Sequence, residues 1–180
     1  MRLLRDRIDV IASNNPAFAF ISFADSLLVK QVWSVGHVDS EISYTYSPES
    51  LFPAVIQLRE AILETLGLSS YAIMSQGINA YADNEASYQS TVGNHFSFNT
   101  LGLPFAQILA TEEAARSAIR SDVHAPAELY IDTMFYRSLN FKVEFDKNQL
   151  ELYPYRSPMT KSATSMYVAM NVSEILENLK

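Results

Sequence analysis

The chain contains no cysteine, which removes disulfides, thiol catalysis and thiolate metal ligands from consideration. Glycine occurs at only five positions, and neither a phosphate-cradling loop nor a dinucleotide fingerprint can be assembled from them. No Gly-x-Ser-x-Gly nucleophile elbow is present either. Charge is also sparse. Asp, Glu, Lys and Arg make up 18% of the residues, below the quarter or so of an average soluble chain, so uncharged polar side chains must cover much of the outside. Between Glu60 and Ala115 there is no Lys and no Arg. The middle of that span, Ser69 to Leu101, is built largely of Ser, Asn, Gln, Thr, Tyr, Phe and small apolar residues. Such a surface recognises through shape, aromatic contact and neutral hydrogen bonds. No apolar run approaches the length of a membrane span, and Met1 to Asp9 lacks the apolar core of a signal peptide. The expected location is therefore a cytoplasm, or a virion packaged from one.

What is present describes a folded α+β chain. At 180 residues with 48% hydrophobic and 12% aromatic content, the length suits one domain, residues 1–180, burying about 70% of its unfolded surface. The net charge of -7 argues against gripping nucleic acid or anionic lipid by charge, since phosphate contacts come from clustered Lys and Arg. Arg2, Arg5 and Arg7, and Arg137, Lys142, Lys147, Arg156 and Lys161, are the candidates for a local basic patch.

Leu4, Ile8 and Ile11 recur at helical spacing up to the stop at Asn15-Pro16 and predict a first amphipathic helix. Phe18 to Phe23 and Leu27 to Val35 read as a strand pair around Asp25-Ser26, and Glu41 to Ser47 alternates as a half-buried strand. Ser50 then caps a helix with Pro53 in its first turn, with Val55, Leu58, Ile62 and Leu66 inward and Gly67 ending it. Tyr71 to Thr100 carries two or three short strands. A helix opening at Leu101 to Pro104 turns Phe105, Ile108, Leu109 and Ile119 inward and spaces Glu112 to pair with Arg116. Beyond the segment Glu128 to Leu139, Phe141, Val143 and Phe145 face Leu150 and Leu152 across a hairpin that Pro154 ends. Tyr167 to Met170 is a further strand, and Asn171 with Glu174 starts a last helix. The expected fold is thus α+β, with a mainly antiparallel sheet and about four helices, one N-terminal, two central and one C-terminal.

Chemistry is sought first at His37, His95 and His124, the side chains that titrate near neutrality unaided. Asn94-His95-Phe96-Ser97-Phe98 has the form His-x-Ser followed by an apolar residue, which resembles half of the signature of the two-histidine phosphoesterases. That resemblance implies His95 and Ser97 as half of a site, with His37 as the opposing imidazole. The second half departs from the pattern: His37-Val38-Asp39-Ser40 carries Asp where a hydroxyl residue is required, and His124-Ala125-Pro126 departs further. A strand histidine beside a solvent-facing serine is the simpler account. His37 with Asp39 and Glu41 shares a strand face, but no second histidine stands near enough to complete a zinc site, so no metal and no cofactor are expected. Asp83 and Glu85 read as a solvated turn rather than as a glycosidase pair.

Aromatic rows at period two, Tyr44 with Tyr46 and Tyr153 with Tyr155, suit base stacking but lie in runs poor in Lys and Arg. Cross-strand packing or interface anchoring is the better account. The leading expectation is a non-enzymatic interaction or assembly protein, a subunit of a larger particle such as a bacteriophage head, neck, tail or baseplate. Its partners would be other protein chains in a homo- or hetero-oligomer, with neither nucleic acid nor membrane, and Tyr71, Tyr81, Tyr88, Phe96 and Phe98 would form the contact surface. A two-histidine phosphoesterase and a binding module for single-stranded nucleic acid or glycan are the alternatives.

Overall fold

A computed structural model describes residues 2–23, 26–31, 35–38, 41–44, 47–76, 87–89, 96–98, 103–139, 150–158 and 163–179. The fold is α+β, and the chain divides into two compact units, Met1–Ser70 and Tyr71–Lys180. Among the described residues no helix is long and apolar enough to cross a membrane.

In the first unit, helix α1 (Arg2–Asn14) precedes an antiparallel hairpin of β1 (Phe18–Phe23) and β2 (Ser26–Gln31). A second antiparallel hairpin joins β3 (Val35–Val38) to β4 (Glu41–Tyr44), and a 3-10 turn at Pro48–Ser50 runs into α2 (Leu51–Leu66). The helical spacing of Leu4, Ile8 and Ile11 has its expected consequence. Ile11 is buried with Leu58 and Ala61 of α2, and Leu4, Ile8, Phe20, Leu27 and Val29 pack against them. Phe20 pairs directly with Val29 across the hairpin, so both point to the same face. Arg7 reaches Glu64 at 2.9 Å, a link between two exposed side chains and so a weak one.

The inward face of α2 differs from the expectation. Its buried residues are Phe52, Ala54, Leu58 and Ala61, while Val55 and Ile62 are half-buried and Leu66 is exposed. Periodicity weighs large apolar residues, whereas close approach of two helices favours small ones, and Ala61 is what lies against Ile11. Gly67 ends the helix as expected, with φ 65° and its N–H donating to the Leu63 carbonyl at 2.8 Å. An added Cβ there would meet nothing within 4 Å, so the whole effect of Gly67→Ala is the backbone penalty of the left-handed region, about 1 kcal/mol. Chemical denaturation is expected to show that loss, with Gly67→Asn losing less.

The second unit opens with three short strands, β5 (Ala72–Met74), β6 (Ser87–Gln89) and β7 (Phe96–Phe98), the last two forming an antiparallel pair. Helix α3 (Leu103–Arg120), strand β8 (Leu129–Asp132), helix α4 (Thr133–Ser138), strands β9 (Tyr153–Arg156) and β10 (Thr164–Met170) and helix α5 (Val172–Asn178) follow. The main sheet has the order β5-β8-β10-β9, with β5 parallel to β8 and the other pairs antiparallel. All four residues of β8 are buried, as an interior strand covered on both faces requires.

Several expectations are refined here. Helix α4 is a fifth helix, too short at 6 residues to announce itself by periodicity. Of the expected inward face of α3, Ile119 packs on the core and Phe105 and Ile108 are half-buried, whereas Leu109 is exposed and the fully buried positions are Gln107, Thr111 and Ala115. Pro154 lies inside β9 rather than ending a strand. It is tolerated because β9 is an edge of the described sheet, where a missing N–H breaks no interior ladder. Leu152, expected inward, is exposed, and the rest of the hairpin reading, at 141–149, lies outside the described residues. Asn171 and Glu174 form the expected capping box, the Asn171 N–H donating to the Glu174 carboxylate at 2.6 Å. Glu112 and Arg116 pair at 2.6 Å across one helical turn.

Candidate functional site

The densest gathering of chemistry-bearing side chains among the described residues is a tyrosine layer between α3 and the main sheet. Its origin is register. Tyr167 of β10 lies opposite both Asp132 of β8 and Tyr153 of β9, Ala169 lies opposite Tyr130, and Ser165 opposite Tyr155. Because strand side chains alternate and direct partners share a face, Tyr130, Asp132, Tyr153, Tyr155 and Tyr167 all project to one side. Tyr130, Tyr155 and Tyr167 are buried there with Ala115, and Ala110, Ala114 and Ile119 pack against them. The small residues of α3 let the helix settle onto large rings. Tyr130 meets Tyr167 edge-on with centroids 6.1 Å apart, Tyr153 lies 5.5 Å from Tyr167, and Tyr71 meets Tyr130 edge-on at 5.7 Å, separations at which aromatic pairs attract.

The hydroxyl groups of this layer have partners. Tyr155 Oη donates to Asp132 Oδ2 at 2.5 Å, and the other carboxylate oxygen accepts from the Met134 N–H at 2.8 Å, so Asp132 is at once the N-cap of α4 and the anchor of a buried phenol. Tyr130 Oη accepts from the Ala127 N–H at 2.9 Å. Tyr153 donates to Glu151 at 2.6 Å, which holds its proton more tightly than usual. Tyr71 donates to Glu112 at 2.8 Å and accepts from Arg116 at 3.0 Å; partial burial, opposed by Arg116 and reinforced by Glu112, raises its pKa. Burial pushes Tyr167 up to about 12, and burial followed by the Asp132 carboxylate does the same to Tyr155.

His124 sits at the rim of this layer, its ring 4.4 Å from that of Tyr153, 5.9 Å from Tyr167 and 6.0 Å from Tyr130. Nδ1 lies 2.8 Å from the Ala125 carbonyl oxygen and Nε2 lies 2.8 Å from Tyr167 Oη. A carbonyl oxygen can only accept, so in the neutral ring Nδ1 carries the proton and Nε2 accepts from the phenol. Both nitrogens are thereby engaged in fastening the turn after α3 to the sheet. Replacing His124 by alanine strands the Tyr167 hydroxyl, which is fully buried, and is expected to cost about 2 kcal/mol. Tyr167→Phe in the same background should recover part of that loss in a denaturation series.

Of the expected contact surface, Tyr71 is described most fully: it is exposed and joined to Glu112, Arg116 and Tyr130. His37 lies on β3 opposite Ile42. Tyr88 of β6 lies opposite Ser97 of β7, with Phe96 opposite Gln89 and Phe98 opposite Ser87. Tyr81 and His95 lie outside the described residues, as do Asp39, Asp83 and Glu85. The row of Tyr153 and Tyr155 is cross-strand packing rather than an open stacking platform, since Tyr155 is buried and Tyr153 lies against Tyr167. Asp132, Tyr130 and Tyr167 were not among the candidate site residues, although Tyr167 lies in an expected strand. The available signal for Asp132 was its position before Thr133, where an apolar strand gives way to a helix that needs a cap. Among the described residues no three His, Asp or Glu side chains gather so as to hold a metal ion. Comparison with protein-family models, with curated proteins and with solved structures found no match to this chain.

Proposed function

We propose that this chain works by binding other protein chains, as a building block of a larger assembly. The observation that carries the reading is the second apolar flank of α1. Leu4, Ile8 and Ile11 already face the core, yet Leu3 and Val10 are 63% and 61% exposed. Seven residues apart, these two stand on one side of the helix two turns from each other, which is the spacing by which a helix offers itself to a partner. The tyrosine layer supports the same reading from the other direction, because its hydroxyls and the His124 nitrogens are committed to holding the second unit together. In its most specific form the proposal makes the chain a subunit of a particle, of which a phage head, neck, tail or baseplate is the instance suited to a chain poor in charge and rich in neutral polar residues.

The test is light scattering of the purified chain across a concentration series, beside the variant carrying Leu3→Ser and Val10→Ser. Withdrawing two apolar side chains from a contact is expected to weaken association by about 100-fold or more, using about 1.5 kcal/mol or more for each side chain buried. Circular dichroism should be unchanged, since neither residue is in the core. A wild-type chain of monomer mass at every concentration, and absent from any particle isolated from its source, would sink the proposal.

A further inference from the structure

We draw no further inference here: the strongest candidate, the outward Leu3 and Val10 flank of α1, is an apolar surface for which nothing in the structure shows what covers it.

Discussion

Replacing Asp132 by alanine is expected to destabilise the second unit by about 3 kcal/mol. Two losses combine. The Met134 N–H loses its cap, worth about 1 kcal/mol, and the Tyr155 hydroxyl loses its acceptor in a place where an unsatisfied polar group costs about 1–3 kcal/mol. Asp132 is 1% exposed, so water cannot substitute without opening the layer. Asp132→Asn keeps an oxygen for the cap and should lose less. Tyr155→Phe should lose about 1–2 kcal/mol, and the double variant Asp132→Ala with Tyr155→Phe should lose less than the two single changes together, because the second removes a group the first had stranded. Urea denaturation of the four variants measures this coupling. Additive losses would mean that the two side chains do not depend on each other.

A second large effect is expected in alkali. Tyr136, Tyr155 and Tyr167 are buried, and burial pushes each from 10.0 up to about 12. The unfolded chain releases these protons near pH 10, while the folded chain holds them to about pH 12. Their contribution to stability is therefore fully present below pH 10 and is lost as the pH climbs through that interval. The decline is expected to reach about 1.4 kcal/mol per pH unit for each phenol. Near-ultraviolet phenolate absorbance followed together with circular dichroism should show these three buried phenols titrating together with unfolding. Tyr167→Phe should make the decline shallower. A smooth titration of all ten tyrosines with the helices intact would refute it.

Local signals in the sequence carried local features faithfully. The spacing of Leu4, Ile8 and Ile11, the left-handed stop at Gly67, the pairing of Glu112 with Arg116 and the capping box at Asn171 each involve residues within about two helical turns, where chain geometry alone decides who meets whom. The buried faces of α2 and α3 were legible only in part, at Leu58 and at Ile119. Ala61 lies inward because α1 comes close, and Gln107 because Ser75 supplies a hydrogen bond to it at 2.9 Å; neither is implied by hydropathy. The tyrosine layer was hidden for the same reason in stronger form. His124 and Tyr167 stand 43 positions apart, and Asp132 and Tyr155 stand 23 apart, so their partnership exists only after β8, β9 and β10 have aligned. Of the contact surface expected at Tyr71, Tyr81, Tyr88, Phe96 and Phe98, the structure speaks to side-chain surroundings at Tyr71 alone.

The proline inside β9 bears on how copies or partners could join. An edge strand is an open template for another strand, and a residue without an N–H interrupts the row of donors such a visitor would need. Among the described residues, the margin of the main sheet at Tyr153–Arg156 is therefore a poor seam for extending β-structure from molecule to molecule. Strand-to-strand zippering is discouraged at that border of the described sheet.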